Sequence, residues 1–225
     1  MTKQSHVIHM TVLIIDKELK EKIPELELGV IQLNDIKVTK SSDILWNDLQ
    51  NQGSQLVQQV GSLETLAQLP AVEATRRAYK LLGKDPSRYR GSAEALLRRV
   101  ISGKPLYKIN NVVEINNYIS LLSLCPVGSY DGANIKGNVT FRIGKAGEYY
   151  KGIGKDIVNL EGLPIFSDEV GPFGSPTSDS EKTMISEKTT NVMTVIISFG
   201  GQTETMPSLV EKGKSLFKKY GIVKE

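Results

Sequence analysis

The grammar of the chain changes at Pro126, and this change limits the fold more than any other feature. Before it, apolar residues recur mostly at helical spacing. After it come short β-rich runs at 127–130, 138–143, 148–150, 157–160, 163–168 and 191–199. Glycines at 132, 137, 144, 147, 152, 154, 162 and 171 punctuate them as turns. Strands so spaced suggest a sandwich or strongly curved sheets. Upstream, residues 7–15 and 26–33 read as strands, with a polar helical turn at 17–22 between them. A helix over 41–59 follows from Ile44, Leu45, Leu49, Leu56, Val57 and Val60; Ser41, Ser42 and Asp43 are its N-cap candidates and Gly53 offers a point of interruption. Further helices are expected at 70–82, with Pro70 in its first turn and Gly83 just past its end, at 91–101 with Ser92 as cap, and at 110–123. An amphipathic helix at 205–220 closes the chain. Helices gathered in one half and strands in the other predict an α+β fold. No linker rich in Pro, Gly or Ser divides it, so residues 1–225 are expected to form one cooperative unit.

Composition excludes several classes. With 40% hydrophobic and 24% charged residues the chain is neither disordered, collagen-like nor a membrane bundle. A chain of this size buries roughly 70% of its unfolded surface and needs no disulfide or metal to hold it together. The single cysteine, Cys125, sits in an apolar run where a thiol behaves as a small hydrophobe. The apolar stretch at 7–15 contains His9 and lacks a signal-peptide cleavage site, and the uncharged run at 115–130 is broken by Asn116, Asn117, Pro126 and Gly128. A cytoplasmic protein without membrane contact is expected.

The net charge of +3 is too small to announce a nucleic-acid binder, but six of the seven arginines (Arg76, Arg77, Arg88, Arg90, Arg98 and Arg99) lie between positions 76 and 99. This cluster reads either as a solvated helical face or as a set of bidentate phosphate contacts. Familiar catalytic groupings are scarce. The only histidines, His6 and His9, lack further metal ligands nearby, and Gly152-Ile153-Gly154-Lys155 has neither the spacing nor the Ser or Thr of a phosphate loop. No metal or cofactor is expected. Two stretches stand out. The run 171–180 packs hydroxyls and Asp179 into a flexible loop, suited to a polar ligand or to capping turns. The run 110–118 places four asparagines in a helical stretch, with Asn110 and Asn117 on nearly one face, so part of that face is expected to point into a pocket.

These residues carry a resemblance. Tyr89-Arg90-Gly91-Ser92-Ala93-Glu94-Ala95-Leu96-Leu97-Arg98-Arg99-Val100, then Ile109-Asn110-Asn111-Val112-Val113-Glu114-Ile115-Asn116-Asn117-Tyr118, Pro126-Val127-Gly128-Ser129-Tyr130-Asp131 and the loop 171–180 resemble the tRNA-binding and editing domain of the phenylalanyl-tRNA synthetase beta subunit, the B3/B4 domain, over about 70–199. The resemblance implies a three-layer α/β structure with an unusual β-sandwich. It also implies hydrolysis of a mischarged aminoacyl-tRNA by an oriented water, without metal or covalent nucleophile. Asn117, Asp179 and Ser178 would then be catalytic. Asn110, Asn116, Gly128, Ser129, Tyr130, Asp131, Ser175, Thr177, Ser180 and Val195 would bind substrate, with Asp179 best placed to pair with its ammonium group. An unperturbed aspartate is too acidic to be an effective base. Arg88, Arg90, Arg98 and Arg99 would contact tRNA, and a synthetase is a further expected partner. Gly128 stands where the bacterial pattern has histidine, and Val195 where it has a tyrosine-recognising glutamate. The pocket is therefore expected to be roomier at Gly128, apolar at Val195 and not tyrosine-selective. The alternative is a tRNA- or amino-acid-binding module that has lost its chemistry.

Overall fold

The computed structural model describes residues 11–223. Strand β1 (Leu13–Ile15), helix α1 (Lys17–Lys22) and strand β2 (Glu27–Leu33) lead into the helices α2 (Asp43–Val60), α3 (Leu63–Gln68), α4 (Pro70–Leu81), α5 (Ser92–Ile101) and α6 (Asn111–Ser123). Strands β3 (Val127–Asp131), β4 (Val139–Ile143), β5 (Tyr149–Lys151), β6 (Ile157–Asn159), β7 (Pro164–Ser167), β8 (Pro172–Gly174) and β9 (Val192–Ser198) follow, and α7 (Met206–Lys219) comes last. The fold is α+β, with the change of grammar where the sequence puts it. Three differences have physical causes. Gly53 does not interrupt α2, because it lies buried inside the helix, with the Val100 methyls 3.6 Å from where a Cβ would stand. The short helix α3 was not expected; Ser62 caps it by accepting from the Thr65 amide. Part of the loop expected at 171–180 is strand β8, paired with β7. The expected strand at 7–15 is seen only as 13–15: residues 11 and 12 are not part of it, and 7–10, with His6 and His9, lie outside the described residues.

Strand β9 organises the layers. It is central in the sheet β2-β9-β3, antiparallel to both neighbours, and every one of its residues is buried. Alternation sends Val192 and Ile196 to one face, where they pack with Ile31 and Val127 against Val112, Ile115 and Ile119 of α6 and Met206, Leu209 and Phe217 of α7. Met193, Val195 and Ile197 go to the other face and meet Val139, Phe141, Phe166 and Phe173 of the second sheet, β1-β4-β7-β8. The result is helix on sheet on sheet. Each side chain fully buried this way contributes about 1.5–3 kcal/mol. A separate apolar cluster joins α2, α3, α4, α5 and α6 through Leu49, Leu66, Val72, Leu97 and Leu121.

Polar residues tie the turns to these layers. Asp168, after β7, has a fully enclosed side chain, and accepts from the Lys182 ammonium at 2.7 and 2.8 Å and from the amides of Lys136, Val170 and Gly171. Burial opposes its charge, but Lys182 and the three amides outweigh this and hold the carboxyl below its usual range. Removing it leaves a half-buried ammonium and three backbone amides without their acceptor, so Asp168→Ala should cost about 1–3 kcal/mol in urea unfolding. A depressed folded-state pKa stabilises fully above the unfolded value. The wild-type advantage over Asp168→Ala should therefore be full above about pH 4 and shrink as the pH falls further.

Candidate functional site

The loop from Gly174 to Ser180 is held by its own hydroxyls and by two tyrosines from elsewhere. Ser175 Oγ accepts from the amides of Thr177 (3.3 Å) and Ser178 (3.0 Å) and donates to the Ser178 carbonyl at 2.8 Å. The Tyr150 hydroxyl donates to that carbonyl at 2.6 Å, and Thr177 Oγ1 shares a 2.6 Å hydrogen bond with the Tyr79 hydroxyl. Ser180 Oγ accepts from the Lys182 amide and caps a short 3-10 turn. Ser175, Thr177 and Ser180, expected at the substrate, are thus engaged in shaping the loop. Gly174 and Asp179 close it through an isolated antiparallel bridge.

Asp179 differs from its neighbours. The residue is half-buried, but its Oδ1 is shut off from solvent and has no hydrogen-bond partner. Burial pushes the carboxyl up to about 7, against weaker downward pulls from the Tyr130 hydroxyl, the Ser175 backbone and the Lys155 charge. Tyr130 lies beside it, itself fully buried, and its hydroxyl also lacks a partner in hydrogen-bonding geometry. The expectation that Asp179 is too acidic to act as a base is therefore corrected: a carboxyl deprived of water holds its proton to near neutrality.

The second correction concerns Gly128. Residues 128 and 130 share a face of β3, and the Tyr130 hydroxyl stands where a side chain at 128 would begin. The same ring would lie 2.5 Å from a Cβ at Gly174. Phe166 and Phe173 meet it edge-on at 5.6 and 5.1 Å between ring centroids. Space expected to be open at Gly128 is filled by the chain's own phenol. Val195, paired with Gly128 across the sheet, is fully buried in the same layer.

Asn117 and Ser129 belong to the opposite face of this sheet. Ser129 Oγ donates to Asn116 Oδ1 at 3.0 Å and shares a 2.8 Å hydrogen bond with Thr194 Oγ1; Asn116 in turn reaches Asn117 Oδ1 at 3.5 Å. In the β3–β9 register the backbone bonds of Pro126 and Gly132 point to β9, so the amide and carbonyl of Ser129 point out of the free edge of β3. At that edge Ser92, in the first turn of α5, accepts from the Val127 amide and donates its own amide to the Pro176 carbonyl. The α5 terminus thus links the loop to β3. The other asparagines of α6 do not face a pocket. Asn110 caps the helix, and Asn111 binds the backbone of Thr39 and Lys37. Asp131, expected near the ester, is buried and accepts from Thr189 Oγ1 and the Ala133 amide. The expected site residues therefore fall on two sides of β3.

Of the expected tRNA contacts, Arg88 is exposed, Arg90 and Arg98 face Glu94, and Arg99 packs its guanidinium 3.8 Å over the Tyr107 ring. A cavity of about 870 Å³ between β2 and α7, lined by Leu28, Val30, Met206 and Val210, contains none of the expected site residues. Among the described residues no three His, Cys, Asp or Glu side chains are placed to hold a metal ion, and no helix is long and apolar enough to cross a membrane.

Two measurements check this geometry. Gly128→Ala should destabilise the protein by about 1–3 kcal/mol in urea unfolding, with part of the loss recovered in the double variant carrying Tyr130→Phe. A raised carboxyl pKa costs stability as pH rises from the unfolded value to the folded one. Asp179→Asn should match the wild type near pH 4, gain on it up to about pH 7 and then lead by a constant margin, on the order of 4 kcal/mol.

Comparison with known proteins completes the picture. An N-terminal fragment of the phenylalanyl-tRNA synthetase beta subunit from Pyrococcus horikoshii is similar in structure over 94% of this chain and 49% of that one, at 14% identity and a TM-score of 0.46. This chain thus spans about half the length of that fragment. A search of curated proteins finds no match. The profile of the B3/4 domain matches residues 74–207, more than half of the 225, which takes in β3, the Gly174–Ser180 loop and β9: the chain belongs to the B3/4 domain family.

Proposed function

We propose that this protein is a tRNA-binding module that works as a free-standing deacylase, hydrolysing the ester of a mischarged aminoacyl-tRNA in the cytoplasm, alone or beside a synthetase, with residues 1–225 as one folding unit. Membership of the B3/4 family and the arginines of α4 and α5 support the RNA partner. The observation that carries the chemistry is Asp179, a carboxyl on a pinned loop with a free, enclosed oxygen and a pKa near 7. A group so tuned accepts a proton efficiently at neutral pH. An aminoacyl ester laid across the free edge of β3 reaches both Asp179 and the outward amide of Ser129. Water held by Asp179 and Ser178 gives its proton to the Asp179 carboxylate as its oxygen bonds to the ester carbon. The carbon–oxygen bond to the ribose then breaks, and the proton passes to the departing hydroxyl, leaving free amino acid and tRNA. Asn117, continuous with Asn116 and Ser129, orients the substrate from the helix side. Because Tyr130 fills the space at Gly128 and Val195 offers no polar partner, the residue removed is small and apolar rather than tyrosine.

The closing of that space by Tyr130 favours one other reading, a binding module without turnover. A deacylation panel of correctly and wrongly charged tRNAs separates the two. The deacylase reading expects hydrolysis of a tRNA bearing a small aliphatic amino acid, with a rate that climbs with pH and levels off above about 7. Asp179→Asn should lower that rate by about 10²–10⁴-fold while leaving tRNA affinity almost unchanged. Tight tRNA binding with no deacylation in any lane establishes the binding module, and a flat pH profile removes Asp179 as the base.

A further inference from the structure

Three arginines, Arg76 of α4, Arg98 of α5 and Arg90 from the segment just before α5, converge on one carboxylate oxygen. Glu94 Oε1 lies 2.9 Å from Arg76 Nη1, 2.7 Å from Arg98 Nε and 4.0 Å from Arg90 Nε. Glu94 is 3% exposed, whereas the arginine side chains are 25, 40 and 27% exposed for Arg76, Arg90 and Arg98. One guanidinium would neutralise a carboxylate; three leave two net positive charges in a small area at the surface. The manner of contact matters as much as the count. Arg98 hydrogen-bonds Glu94 through Nε, and Arg90 faces it through an Nε that is buried and makes no hydrogen bond, so the paired terminal nitrogens of each, the fork that fits a phosphate, are not spent on Glu94. Glu94 and Arg98 lie i, i+4 on one face of α5, Arg90 approaches the same carboxylate from the segment just before the helix, and Arg76 arrives from α4 alongside. Among the acids nearby, Asp85 is exposed and turned to its own Ser87, while feeling the charges of Arg88 and Arg76.

We propose that Glu94 is a positioning residue, a buried anchor that holds Arg76, Arg90 and Arg98 as a single clamp for neighbouring phosphates of an RNA backbone. This rests on the tRNA reading above and adds to it Arg76 and a carboxylate that bulk electrostatics would count against binding. Three unanchored guanidiniums would repel one another and lose rotamer freedom on docking; anchored, they are ordered before the RNA arrives.

The sign of one substitution tests the idea. Glu94→Ala makes the protein more positive by one charge, so a surface acting only through its net charge should bind RNA more tightly. The clamp predicts the reverse. With the full chain and uncharged tRNA, titrated by fluorescence anisotropy between 50 and 200 mM salt, Glu94→Ala should weaken binding about tenfold or more and make the salt dependence shallower by about two phosphate contacts. Circular dichroism and a thermal melt establish that the variant is folded. Should it not fold, Arg76→Gln carries the test, with weaker binding and a slope shallower by about one. Wild-type binding that is unchanged or tightened in a folded Glu94→Ala, or unchanged in Arg76→Gln, overturns the clamp and leaves the tRNA reading standing. A wild type that binds no tRNA overturns that reading, and the clamp's ligand with it.

Discussion

The backbone pairing of β9 with β2 and β3 is the constraint on which the rest of this structure depends. Because β9 is buried on both faces, its alternation sets the contents of two cores at once, and a shift of one residue would exchange them. The same register fixes the chemistry. It puts Thr194 opposite Ser129, on the side of α6, and Val195 opposite Gly128, on the side of the second sheet. It also turns the backbone of Ser129 outwards. A polar helix side, an apolar sandwich side with one unusual carboxyl, and a strand edge between them all follow from one set of hydrogen bonds.

Much of this was legible in the residues, and the parts that were not share a cause. The caps and periods of α2, α4, α6 and α7 are local signals, and they name those elements to within a residue or two. The role of Asn110 is local too. That of Asn111 is not, since its partners are the backbones of Thr39 and Lys37, more than seventy positions away. The proton affinity of Asp179 was invisible for the same reason: it is a property of what surrounds the carboxyl, supplied by the Tyr130 ring and by a loop folded back on itself. The filling of the space at Gly128 was within reach, because residues two apart in a strand share a face. A glycine followed two positions later by a large aromatic is a signal that the comparison of single positions passes over.

The loop Gly174–Ser180 shows how composition misleads. Its hydroxyls suggest a bed of donors for a ligand, yet Ser175, Thr177 and Ser180 satisfy the loop itself, together with Tyr79 and Tyr150. The hydroxyl groups supply rigidity, and rigidity is what keeps one oxygen of Asp179 enclosed while the residue as a whole stays half-buried. Arginine clustering misleads in the other direction. A run of cations suggests independent contacts, whereas Arg76, Arg90 and Arg98 share one buried anion.

The interlocking of Tyr130 with Gly128 and Gly174 binds three positions into one unit of inheritance. A relative that carries a side chain at 128 or 174 cannot keep the tyrosine in this orientation, and one that keeps the tyrosine cannot carry either side chain. Passing from one arrangement to the other by single substitutions therefore runs through an ill-packed intermediate. Which arrangement a lineage inherits decides whether the floor between the two sheets is occupied from within or left for a guest.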